Sequence, residues 1–201
     1  DSSIMENEIS DQAAFLISKV ANDVFSIPNL YPYQMEVLKR LAMMRFRTSS
    51  VPPSPVLLVS PTGGGKSLIR DVYSVLFRGV SLTIVPTLAL GLDQKDKVWK
   101  RAHQTFGRVI PIHVDEILSM DVAKNLISMV KSLPSDTTKS IMFFASPQIL
   151  TEKKHWKKFF QTLISQNLLR LIVVDEIQLF VHYALSFRTK FAKFVRYPLQ
   201  T

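Results

Sequence analysis

Eight consecutive residues, Ser60-Pro61-Thr62-Gly63-Gly64-Gly65-Lys66-Ser67, constrain this chain more than any other stretch. They follow the apolar run Val56-Leu57-Leu58-Val59 and precede Leu68-Ile69, so a buried strand is expected to end in a glycine loop that opens a helix. Glycines let backbone N–H groups converge on a polyphosphate without Cβ clashes, and a helix N-terminus adds partial positive charge where the anion sits. In such a loop Thr62, Gly63, Gly64 and Gly65 wrap the phosphates, Lys66 reaches the β- and γ-phosphates, and the Ser67 hydroxyl binds Mg²⁺. The general pattern GxxxxGK[ST] begins with Gly; here the first position is Ser60.

A loop of this kind needs a sheet to carry it, and the rest of the chain reads as one. Further apolar runs occur at 82–85, 109–113, 141–145 and 168–174, with helical patterns near 67–78, 87–105, 121–132 and 153–166. Near-continuous apolar strands alternating with helices indicate an α/β fold, a parallel sheet with helices on both faces. Before the glycine loop, residues 10–24 and 33–47 read as helices joined by a link containing Pro28 and Pro32. We expect a helical N-terminal extension over 1–48 and the nucleotide-binding domain over 49–201.

With 201 residues, 47% apolar and 20% charged, the chain can bury one good core. It has no cysteine, which excludes disulfides and thiolate metal sites, and no apolar run of the roughly 18 residues that a membrane span needs. We therefore expect no membrane partner and an intracellular location, nuclear if the source is eukaryotic. The net charge is +9, and residues 151–201 carry nine Lys or Arg against three acids. A basic half fits a polyanion partner such as nucleic acid, as it also fits a solvated lysine face. The start at Asp1 and the stop at Thr201 suggest a piece of a longer protein.

The second chemical signature is Leu171-Ile172-Val173-Val174-Asp175-Glu176. A strand ending in Asp-Glu places two carboxylates at the carboxyl edge of the sheet, where open α/β sheets bind ligands. Asp175 can hold the Mg²⁺ that Ser67 touches, and Glu176 can orient and deprotonate the attacking water.

Together these residues resemble the first RecA-like domain of a superfamily 2 helicase, more narrowly a RecQ-like one, over about 24–188. Ser-x-Thr-Gly-x-Gly-Lys-Ser is that superfamily's form of the loop, which accounts for Ser60. The stretch from Phe25 to Gln34 is similar to the RecQ motif 0, FG(x3)FRPxQ, at Phe25, Pro32 and Gln34. The resemblance implies that Gln34 reads the adenine edge of ATP. Tyr31 stands where the family has arginine and can stack on the base. Val85 to Gln94 resembles motif Ia, and Ser146-Pro147-Gln148 resembles motif Ib, which implies that Pro86, Thr87, Gln94, Ser146 and Pro147 contact a DNA strand.

The stretch DEIQLFVHYALSFR, from Asp175 to Arg188, has the length of the family's DEAHCISQWGHDFR. By resemblance Tyr183, Phe187 and Arg188 sense single-stranded DNA and couple it to ATP hydrolysis. Gln178 replaces the histidine of the DEAH box, and can still hydrogen-bond the γ-phosphate region. Phe180 and Phe187 also fit plain core packing. The resemblance implies ATP and Mg²⁺ as cofactors, DNA (single strand or junction) as partner, and a second RecA-like domain with an arginine finger in the same parent chain. Two other classes stay open: a nucleic-acid-binding module with a degenerate ATPase, and a P-loop ATPase that remodels a protein. Lys153, Lys154, Lys157 and Lys158 fit a solvated helix face with Trp156 and Phe160 turned inward, and His103, His113 and His155 read as structural.

Overall fold

The computed structural model describes residues 2–46, 56–61, 63–102, 108–117, 119–133 and 138–177. They fall into two compact units, Asp1–Phe77 and Arg78–Thr201.

In the first unit, α1 (Ser2–Phe25) buries Ala13, Ile17, Ala21 and Phe25, and α2 (Pro32–Phe46) buries Gln34, Leu38 and Ala42. Both sets recur every four residues, which on a 3.6-residue helix makes one continuous seam per helix. The helices pack through these seams, and both touch α3 (Lys66–Phe77), which follows the glycine loop. The loop's helix thus groups with the N-terminal helices.

Residues 56–59 differ from expectation. They form no strand, and Leu57 and Val59 are 75% and 87% exposed. Pro55 and Pro61 bracket the run, and four apolar residues become a strand only where a neighbouring strand takes up their N–H and C=O groups.

In the second unit four strands form an all-parallel sheet in the order β2-β3-β1-β4, with β1 Gly79–Ile84, β2 Val109–His113, β3 Ser140–Ala145 and β4 Leu169–Val174. The connecting helices are α4 (Leu88–Ala102), α5 (Met120–Lys131), the short α6 (Pro147–Glu152) and α7 (Lys154–Ser165). The expected α/β architecture is present, a parallel sheet with helices around it. Strand β1 starts three residues earlier than the apolar run suggested. Ser81 and Thr83 interrupt the run, yet both are buried between two neighbouring strands.

Side-chain alternation sorts the helices onto faces. Val80, Leu82 and Ile84 of β1 and Ile141, Phe143 and Ala145 of β3 share one core with Ala123 and Val130 of α5, Leu150 of α6, and Trp156, Phe159, Phe160 and Leu163 of α7. His113, in register with Phe144, points to the opposite face, where α4 lies against it. The approach is tight: a Cβ added at Gly91 would collide with the His113 ring and lie 2.8 Å from Val85 Cγ2. Trp156 and Phe160 point inward while Lys153, Lys154, Lys157 and Lys158 are exposed, the solvated-face arrangement. Among the described residues no helix is long and apolar enough to cross a membrane.

Candidate nucleotide and nucleic-acid site

The glycine loop is shaped by all three glycines. Gly63 and Gly65 both have φ of 81°, which side chains rarely adopt, and a Cβ at Gly64 would collide with Ser60 Oγ. Gly65 O accepts the N–H of Leu68 at 3.1 Å, so the loop runs directly into the first turn of α3, whose N-terminal N–H groups have no helical acceptor. Lys66 Nζ donates to Ser60 O at 2.8 Å and Pro61 O at 3.0 Å, which holds the ammonium over the loop. Ser67 is exposed at the same helix start. Thr62 lies outside the described residues.

Helix α2 grips this loop. Tyr33 Oη donates to Gly64 O, and Gln34 Nε2 donates to Gly65 O at 3.0 Å. Tyr31 is the residue before Pro32, the first residue of α2, and Gln34 Oε1 accepts the Tyr31 N–H at 2.9 Å. This is the glutamine half of a capping box, with proline at the first helical position. The Tyr31 and Tyr33 rings stack, centroids 6.1 Å apart and 11° from parallel, and Tyr31 is 62% exposed. Sequence reading missed Tyr33, since only the fold brings a hydroxyl 31 residues away onto the loop.

In the second unit every strand points its carboxyl end to one edge, and the described residues of the remaining motifs lie along the segments that leave it. Thr87 caps α4, its Oγ1 accepting Leu90 N–H at 3.3 Å, and is exposed beside half-buried Pro86. Ser146 caps α6 by accepting Ile149 N–H at 3.4 Å, and its own N–H and hydroxyl both donate to the Asp115 carboxylate. Ser146 and Pro147 are buried, so Asp115 holds the motif Ib turn from beneath. Sequence reading missed this acid, which bears no motif.

Asp175 follows β4 directly, its N–H donating to Ile84 O at 3.0 Å. Its two carboxylate oxygens accept the Glu176 N–H at 3.0 Å and the Gln94 amide. Glu176 has a φ of 50°, a left-handed conformation uncommon for a non-glycine residue, which the Asp175 hydrogen bond supports. Gln94 is buried on α4 and turned toward Asp175, behind the edge. Among the described residues no three His, Asp or Glu cluster as a metal cage. A carboxylate at a strand end and a hydroxyl at a helix start are each the kind of oxygen ligand that Mg²⁺ takes, since it keeps waters and binds through few protein ligands plus phosphates. Gln178, Tyr183, Phe187 and Arg188 lie outside the described residues.

His113 anchors this edge from within. It is 1% exposed, neither ring nitrogen has a hydrogen-bond partner among the described residues, and Nδ1 lies 3.6 Å from Asp115 Oδ2. Burial lowers its pKa below the ordinary 6.5, against the opposing pull of Asp115 and Glu116, while Lys95 adds to the lowering. The unfolded chain therefore takes up a proton below about pH 6.5 that the folded chain resists, and stability falls as pH drops through that range. His113→Gln protein should lose less stability than wild type between pH 7 and 5.5 in urea titrations; equal losses would contradict the buried neutral histidine.

Comparison with known proteins agrees with the motifs. The chain is 28% identical over 138 residues to ATP-dependent DNA helicase Q5 of Rattus norvegicus, covering 69% of this chain and 13% of the relative. It is 26% identical over 212 residues to ATP-dependent DNA helicase hus2/rqh1 of Schizosaccharomyces pombe, covering 94% and 15%. A putative ATP-dependent DNA helicase Q1 of Caenorhabditis briggsae is 22% identical over 182 residues, covering 90% and 27%. No family model matches. The chain is RecQ-like, as its motifs indicated, and its matches span well under a third of each of these relatives.

Proposed function

We propose that the chain is the ATP-binding lobe of an ATP-dependent, RecQ-like DNA helicase, the first RecA-like domain of its parent. The observation that carries this reading is a glycine loop held over a helix N-terminus in a chain whose Asp-Glu pair and two further helicase-like motifs share one sheet edge. In this reading Gly63, Gly64, Gly65, Lys66 and Ser67, with Thr62, receive the phosphates; Tyr31 and Gln34 form the base end of the site. Ser67 and Asp175 would hold Mg²⁺, which supplies charge neutralisation as the γ-phosphate departs.

Glu176 takes the proton of the attacking water, and Gln178 hydrogen-bonds the γ-phosphate region. Gln94 keeps the Asp175 carboxylate in place, Pro86 and Thr87, with Tyr183, Phe187 and Arg188, contact the DNA strand, and the buried Ser146 and Pro147 shape the turn beside it. Because Gln94 and Thr87 lie on one helix, a strand contact at the head of α4 has a mechanical route to the Asp175 carboxylate.

A second RecA-like domain would supply an arginine finger, a part that in phosphoryl transfer is worth on the order of 10³-fold or more. The 201-residue chain alone is accordingly expected to turn ATP over very slowly. In the full-length parent, Glu176→Gln should lower DNA-stimulated ATPase by about 10²-fold or more, the scale of a general base, with nucleotide affinity nearly unchanged. If Glu176→Gln leaves stimulated turnover intact, the catalytic assignment fails; if the unmodified parent binds DNA yet hydrolyses nothing, the chain is a binding module with a degenerate ATPase.

A further inference from the structure

Resting on the DNA-helicase reading above, we propose that Lys153, Lys154, Lys157 and Lys158, at the start of α7, form a further contact for the DNA strand, a track for its phosphates beside the motif Ib turn. All four side chains are exposed, and none makes an ion pair or a side-chain hydrogen bond among the described residues. A solvated helix face ordinarily interleaves both signs of charge. Helix α7 has four lysines at its start and no acid along its length.

The placement works against the helix itself. A helix N-terminus carries partial positive charge, favouring acids in the first turn and Ser, Thr, Asp or Asn at the cap. Helix α5 has that arrangement, with Ser119 as a cap that accepts the Val122 N–H and Asp121 in the first turn. In α7 it is reversed: Lys153 is the cap and makes no side-chain cap hydrogen bond, and Lys154, Lys157 and Lys158 follow with no acid in the first turn. Lys153 with Lys157, and Lys154 with Lys158, are also pairs four residues apart, about 5–6 Å between Cβ atoms, where like charges repel. An anionic partner offsets all of these penalties together, and the described residues supply no such anion.

Topology sets which anion is within reach. Ser146 of the motif Ib turn caps α6, whose six residues, about 9 Å at 1.5 Å per residue, lead directly to Lys153. Residues 166–168 join α7 to β4, and β4 runs parallel to β3, so α7 runs back along the sheet and its lysine end stands at the edge that the motif Ib turn leaves. Trp156, Phe159 and Phe160 hold that end of α7 to the core while the lysines face out. Lysine meets phosphate as a point charge, and phosphate contacts carry no base information, so this contact positions a strand without selecting its sequence.

The test is titration of the full 201-residue chain with fluorescein-labelled oligothymidine from about 50 to about 200 mM salt, with thermal melting as the check of folding. Each phosphate neutralised on a single strand contributes about 0.7 to the slope of log affinity against log salt. Lys153→Gln, Lys154→Gln, Lys157→Gln and Lys158→Gln combined are expected to flatten that slope by about 2–3 and to weaken binding about tenfold or more at the lowest salt, with the melting temperature no lower than wild type. Lys157→Gln with Lys158→Gln should give about half of the flattening, and arginine at all four positions should restore the slope. An unchanged slope in the folded glutamine variant overturns the inference. So does displacement of the oligothymidine by polyglutamate at equal charge, which would assign the face to an acidic protein segment. Folded wild-type chain that binds no oligothymidine at the lowest salt overturns the DNA reading beneath it as well.

Discussion

Lys66→Ala protein is expected to bind Mg²⁺-nucleotide about one to two orders of magnitude more weakly than wild type. The ammonium is held over the glycine loop by Ser60 O and Pro61 O, at 2.8 and 3.0 Å, so its position is set by loop backbone. Phosphate oxygens offer it a charged acceptor in place of neutral carbonyls. Hydrogen bonds to charged groups are worth about 1.5–3 kcal/mol, and each 1.4 kcal/mol is tenfold in affinity. The N-terminus of α3 survives the substitution and contributes about 0.3–1 kcal/mol for an anion, too little to replace the lysine. Fluorescent nucleotide titration measures the loss, and an undiminished affinity in folded Lys66→Ala protein would sink the phosphate-loop assignment.

Trp156→Ala should cost about 3–5 kcal/mol of folding stability, the range for removing a large aromatic from a core. Its indole is 1% exposed and meets Phe159 edge-on at 5.7 Å and Phe160 in a stack at 6.3 Å. Those two rings in turn sit edge-on to Phe143 of the central sheet, at 5.7 and 5.4 Å. The aromatic cluster is what fastens α7 to the sheet, and aromatic pairs add about 0.5–1.5 kcal/mol beyond their buried area. A loss of that size is a large fraction of the total stability of an ordinary domain, about 5–15 kcal/mol. Urea unfolding reads it directly, and Lys157→Ala on the exposed face of the same helix should stay within about 0.5 kcal/mol of wild type. A Trp156→Ala protein as stable as Lys157→Ala would show that the cluster does not hold the helix.

Where hydrophobic pattern is local and unbroken, the chain could be read without its structure. The runs at 109–113 and 141–145 became β2 and β3 almost residue for residue, and the helical period of 153–166 put Trp156 and Phe160 inward in α7. The positive φ of Gly63 and Gly65 and the Asp-Glu strand end were likewise legible, because glycine permits that conformation and the carboxylates follow the apolar run directly.

Partner choice was not legible. Residues 56–59 have strand composition and no strand, since pairing depends on a neighbour and not on the run itself. Ser81 and Thr83 have polar side chains and lie buried in the middle of the sheet, because a central position between two strands satisfies the backbone whatever the side chain. Gln34 and Gln94 carried a family's expectations for adenine and DNA. Nothing in those motifs announced the hydrogen bonds they make within the fold, to a loop 31 residues away and to a carboxylate 81 residues away. Local sequence thus determined most of the helices and strands and the backbone freedom of the glycine loop, through hydrophobic period and residue type. Only the tertiary structure decided which polar groups meet, because a buried amide bonds to whatever acceptor the fold places within about 3 Å, and that distance has no signature along the chain.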